Sequence, residues 1–222
     1  DAMADVVATI EIAKLLRRCD ENLFDTLHRQ RTKRAVSALV NLDELTPLVH
    51  VSGMFGGARR NLALVVPVAW HPTNNSEVIC VDLGKSPDFL EQPTDIVRQY
   101  LFTPQAELPE GVERPPIKTI RLNRAPVLLP TQWVAGGVAE SLGLDGDLHR
   151  RHLSLWREAR AADQAGVMTR FQSLWQAQSF PERSDPDQLL YNGFVSLMTK
   201  MAQWSRRCWR RPSSPACRSP TP

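Results

Sequence analysis

Cysteine is scarce in this chain and never spaced for a metal. The four cysteines are Cys19, Cys80, Cys208 and Cys217, with no C-x-x-C spacing and no paired histidines. That speaks against structural zinc. Free thiols in a reducing compartment are the simplest reading. No apolar run is long enough to cross a bilayer, and no signal peptide opens the chain. A cytoplasmic protein without membrane contact is expected. The first residue is Asp1 rather than methionine, so a piece of a longer product, or a processed chain, is expected. Acidic residues are missing from Lys200 onward, where Lys200, Arg206, Arg207, Arg210, Arg211 and Arg218 supply six basic ones. The overall charge of +3 therefore misleads: the body holds 21 basic against 24 acidic residues, a net of −3. Any nucleic-acid footprint must be a local patch, not bulk charge.

What is present suffices for a packed core, with 42% apolar residues in 222, enough for one or two domains. The chain is organised around Pro47 to Pro72, PLVHVSGMFGGARRNLALVVPVAWHP. Two apolar, β-branched runs flank a loop holding Gly56, Gly57, Arg59 and Arg60. This predicts two strands around a turn. Glycines permit positive φ or close backbone approach. The two arginines are either a solvated loop tip or forks of donors for phosphates.

Upstream, Asp1 to Arg18 predicts a helix with Val6, Ile10, Ala13 and Leu16 as one apolar stripe. Asp1 and Asp5 suit its first turn through the helix dipole. A metal-ligand role for Asp5 is the sharper alternative, although one carboxylate does not make a two-metal site. Glu21 to Arg34 predicts a second helix with Leu23, Phe24 and Leu27 inward. Its basic end, including Arg31 and Lys33, is either a helix cap or a phosphate-tracking ridge.

Downstream, Glu77 to Leu83 predicts a buried strand in which Cys80 is core. Thr94 to Phe102 predicts a helix capped by its threonine. Pro104 to Pro116 predicts a stiff acidic loop. Ile117 to Leu122 and Val127 to Leu129 add strands around an Asn123–Pro126 turn, bringing Lys118, Arg121 and Arg124 together in sequence. A small barrel-like β-domain follows, with a sandwich as the alternative. From Pro130 the pattern turns helical. Thr131 to Leu142 ends at Gly143, Leu148 to Ala162 carries Leu153, Trp156 and Ala159, and Asp163 to Gln178 carries Val167, Phe171, Leu174 and Trp175. These stripes read as core rather than as base-stacking platforms.

The segments VHVSGMFGG, VPVAWHP, VICVDL, RLNRAPVL and QLLYNGF resemble bacterial exodeoxyribonuclease I, and DAMADVVATIEIAKLL resembles the end of that family's catalytic domain. The resemblance runs from Asp1 to about Phe194. It implies an α+β fold: terminal helices of a ribonuclease-H-like exonuclease domain (1–20), an SH3-like β-domain with flanking helices (21–130) and the start of an α-helical domain (131–195). It implies 3′-end hydrolysis of single-stranded DNA in DNA repair, with two Mg2+ ions. Asp5 matches a metal ligand of the family. The family's histidine base would fall immediately before Asp1, and the other three acidic ligands lie further upstream, so the catalytic set is incomplete here and the fragment is expected to be inactive alone. A non-catalytic single-stranded-DNA-binding module is the alternative; a product that does not fold stably is a third.

The expected DNA contacts are Arg59, Arg60, Arg31, Lys33, Lys118, Arg121 and Arg124. The resemblance also implies single-stranded-DNA-binding protein as a partner. No residues are assigned to that contact, because Pro130 to Leu148 is weakly basic and departs from the family. A monomer is expected. After Val195 the resemblance stops, and residues 196–222 are rich in Arg, Trp, Ser and Pro. A nucleic-acid-binding tail is one reading; a shifted reading frame giving an unselected, disorder-prone segment is the preferred one.

Overall fold

The computed structural model describes residues 2–176. The expected segment at Leu189–Phe194, the tail at 196–222, and Cys208 and Cys217 lie outside the described residues. Five antiparallel strands form one sheet in the order β4–β3–β2–β1–β5. They are β1 (Leu48–Val51), β2 (Leu62–Trp70), β3 (Glu77–Asp82), β4 (Ile117–Arg121) and β5 (Val127–Pro130). β1 and β2 are the hairpin expected at Pro47–Pro72, and β3 is buried along its whole length. Pro67 sits inside β2, where a proline cannot donate to the ladder. The register between β2 and β3 shifts between Pro67 and Ala69, a bulge that accommodates it.

Each sheet face is covered by different helices. On one face Val66, Val68, Ile79 and Val81 pack with Trp156 of α6 (Gly146–Ala162) and Phe171 and Leu174 of α7 (Gln164–Gln176). On the other, Leu48, Val65, Val78, Cys80 and Ile120 pack with Val36 of α3 (Lys33–Ser37). Leu23 and Leu27 of α2 (Glu21–Arg29) lean on a third cluster of Val49, Leu129 and Val134. The helices expected to open a separate domain after residue 130 thus complete the sheet's own core.

Four local expectations need correction. The second helix does not run to Arg34. It ends at Arg29, and Thr32 caps α3 by accepting a hydrogen bond from Ala35 N at 3.3 Å. Such a cap starts a new helix rather than continuing an old one. Thr94 is not a cap but the first residue of α4 (Thr94–Phe102), which follows Pro93. Thr131 to Leu142 is not one helix. A 3-10 turn at Thr131–Val134 is followed by Gly136 at φ +62°, then the short α5 (Gly137–Ser141). The expected glycine stop holds: Gly143 N donates to Glu140 O and Leu144 N to Ala139 O, both at 2.9 Å, with Gly143 at φ +74°. Finally, the stripe on α1 (Ala2–Cys19) faces no core. Val6, Ile10 and Leu16 are about half exposed, and α1 buries no residue.

Candidate nucleic-acid interface

The β1–β2 loop is pinned at its base. Ser52 N donates to Asn61 O at 2.7 Å, and Gly56, Arg60 and Asn61 take φ values of +78°, +51° and +57°. Arg59 then reaches back across the sheet to Asp82 at the end of β3. Its Nη2 donates to Oδ1 at 3.0 Å, and its Nη1 to Oδ2. Gly84 N donates to the same Oδ1 at 2.8 Å. A Cβ on Gly84 would lie 2.9 Å from Arg59 Nη2, so the glycine leaves room for the guanidinium. The bond to Asp82 raises the pKa of Arg59. Its fork is filled by a carboxylate, and Arg60 is the exposed cation of the tip.

Phe55 gathers the cations beneath this loop. Lys118 Nζ lies 4.2 Å from its ring centroid and Arg59 Cζ lies 5.5 Å from it. His50 meets the same ring edge-on at 5.6 Å. Lys118 Nζ is buried without a hydrogen-bond partner among the described residues. Burial lowers its pKa, against the opposing pull of Cys80 and Asp82. Cys80, directly opposite Lys118 in the ladder, is fully buried, and burial pushes its thiol well up; it is core, as expected. Beside this cluster runs a groove lined by Met54, Phe55, Phe102, Arg114, Lys118 and Trp175. Phe102 and Trp175 meet edge-to-face at 5.9 Å. Arg114 is tethered by donating to the carbonyl of Thr103.

Arg59 and Lys118, expected as DNA contacts, therefore meet on one ring. The others do not join them. Residues alternate across a strand, so Arg121 points to the face opposite Lys118, where it pairs with the buried Glu77. The second Glu77 oxygen lies 3.8 Å from His71 Nε2. Arg31 donates to His28 O at 2.7 Å, and Lys33 to Ser76 Oγ at 2.9 Å. Arg124 is exposed on the turn after β4. Sequence reasoning missed Phe55, Phe102, Asp82 and Arg114. Trp175, read as core, does pack against the sheet's main cluster, and its partly exposed side also lines the groove. Only the aromatic-plus-basic composition near Phe55 was a usable signal.

Asp5 lies exposed in the first turn of α1, its carbonyl accepting from Thr9 Oγ1 at 2.8 Å. Among the described residues, no group of three or more His, Cys, Asp or Glu could hold a metal ion. A lone carboxylate does not fit a two-metal centre.

Comparison with known proteins shows what the chain is similar to. The family model for the exonuclease I SH3-like domain matches residues 31–174. Exodeoxyribonuclease I of Escherichia coli (strain K12) is 38% identical over 197 residues, which is 88% of this chain and 40% of the relative. The structure of E. coli exonuclease I in complex with a 5cy-dT13 oligonucleotide superposes with a TM-score of 0.75 at 33% identity, over 96% of this chain and 46% of that one. The zinc-ion-bound form of the E. coli exonuclease I complex with single-stranded DNA superposes with a TM-score of 0.76 at 36% identity, over 92% and 43%. The chain thus spans about 40% of the length of the curated relative it matches. With the family model reaching from just after α2 into α7, this chain belongs to the exonuclease I SH3-like domain family.

Proposed function

We propose that this chain is the strand-gripping part of an exodeoxyribonuclease I, an enzyme that hydrolyses single-stranded DNA from its 3′ end. The observation that carries the proposal is similarity to exodeoxyribonuclease I over 88% of the chain. The cationic cluster on Phe55, beside a groove with aromatic walls, is the chemistry a single strand needs: charge for phosphates and π-faces for bases. The uncovered apolar surface of α1 supports its reading, with residues 1–20, as the edge of an exonuclease domain.

Mg2+ is the metal of this proposal, with Asp5 as one ligand. Among the described residues no group of three or more ligating side chains includes it, and no catalytic step is assigned to side chains of this chain. The proposal further includes cytoplasmic action in DNA repair, a monomeric state and contact with single-stranded-DNA-binding protein.

A second reading, a non-catalytic binding module, is favoured by one contrast. The groove is formed within this chain, while no metal-binding cluster occurs among the described residues. One assay separates the two. The chain is incubated with single-stranded DNA labelled at its 3′ end and Mg2+. Labelled mononucleotide marks a nuclease; a shifted band with intact label marks a binder. Neither signal would remove both readings.

A further inference from the structure

From the groove beside Phe55, we infer a base-binding subsite: Phe102, Trp175 and Met54 form an apolar bed for one unstacked nucleobase, and Arg114 holds its phosphate. The inference rests on the single-strand reading above and assigns it particular residues. Met54 is 81% exposed and Phe102 is 41% exposed. Both line one groove with the partly buried Trp175. Exposed large apolar groups gathered in one groove are uncommon on a surface with no partner.

The ring of Phe55 is already engaged by Lys118 and Arg59. Phe102, by contrast, leaves aromatic surface open to the groove, while Trp175, which meets it edge-to-face, is also met by His71 at 5.6 Å and backs the bed from the core side. On the same groove, Arg114 is exposed, spends one Nη2 bond on Thr103 O and keeps its other donors, while the buried Lys118 Nζ adds positive charge behind Phe55. An aromatic bed beside spare cationic donors matches a nucleotide, with its flat base and its anionic link. Phosphate alone would leave the bed unused, and a plain apolar ligand would leave the donors unused.

The test uses the full chain and two fluorescent strands with the same number of phosphates, an oligothymidylate and its abasic counterpart. Anisotropy titrations at fixed salt measure both affinities. The chain should prefer the thymidylate by about tenfold, in line with one stacked base. Phe102→Ala should remove most of that preference while leaving abasic affinity and the salt slope unchanged. Because Phe102 is partly exposed, the variant should keep the parent melting curve; Phe102→Tyr, which keeps the aromatic face, should restore the preference. A preference for thymidylate that Phe102→Ala leaves intact would overturn the subsite while the single-strand reading stands. Equal affinity of the parent for both strands would do the same. Binding to neither strand would overturn the single-strand reading and the subsite with it.

Discussion

At the scale of the residue, Asp82 ties the β1–β2 loop to the end of β3. It is only 7% exposed, and its oxygens accept from Arg59 and from Gly84 N. Removing it leaves a part-buried guanidinium and a backbone N–H without their partner. Asp82→Ala should cost about 1–3 kcal/mol in urea unfolding. Arg60→Ala should cost almost nothing in stability, yet flatten the salt dependence of single-strand binding by about one unit. An unchanged slope would remove the loop tip from the interface. Lys118 sets desolvation against its contact with the Phe55 ring. Its folded pKa is lowered, so between that value and the unfolded one the unfolded chain binds more protons. Stability therefore rises with pH through that window, and below it the buried charge carries its full penalty. Lys118→Met should raise the melting temperature at neutral pH, and the gain should shrink as the pH becomes alkaline. A fall at neutral pH would show that the ring contact outweighs desolvation.

Elements of similar sequence pattern differ in what covers them. α1 and α6 both carry an apolar stripe. α6 buries Trp156 against Phe89 and Phe171, with ring centroids 5.8 Å and 5.7 Å away. α1 buries nothing. Trp156→Ala should cost about 3–5 kcal/mol by leaving a cavity. Replacing Val6 and Ile10 with serine should change the unfolding midpoint by no more than surface substitutions do, about 0.5 kcal/mol. The two variants compared in one urea series test this directly. A large loss from the α1 pair would mean that helix is packed in solution. The shared pattern was readable in both helices. Which one meets a sheet depends on residues far away in the chain, so the pattern alone could not tell them apart.

At the largest scale, within residues 2–176, helices that precede and follow the strands in the chain cover the sheet. Deleting residues 146–176 would strip Trp156, Phe171 and Leu174 from the cluster containing Ile79 and Val81. The truncated chain should lose its cooperative thermal transition by circular dichroism; a retained transition would restore a domain boundary near residue 130. Acid should also act globally. Burial lowers the pKa of His50 and His149, whose unfolded values lie near 6.5. Below about pH 6.5 the unfolded state takes up protons first, so stability should fall until the folded values are reached. Asp145, lowered by its hydrogen bonds to Leu148 N and Asp147 N, adds a further loss as pH drops through its folded value. Equal urea midpoints at pH 7 and pH 5 would show that neither ring is held neutral.

Much of this was legible from residues alone because its causes are local. Alternation and β-branching marked the hairpin around Gly56, and the 3.6-residue period marked α6 and α7. Gly143 marked a helix end through its freedom at positive φ. The long matching segments carried the family, and with it the α+β fold. The site was less legible. Seven cations were readable as candidates, but not that Arg59 is taken by Asp82, 23 residues away, or that Lys118 and Arg121 face opposite ways. Hydrogen bonds and burial are set by neighbours in space. Sequence alone thus determined where the strands and most of the helices fall, though not the breaks before α3 and α5, and which family the chain resembles. Only the tertiary structure decided which cations stay free, which aromatics meet at the groove, and which apolar stripe is core, because each depends on long-range pairing across the sheet.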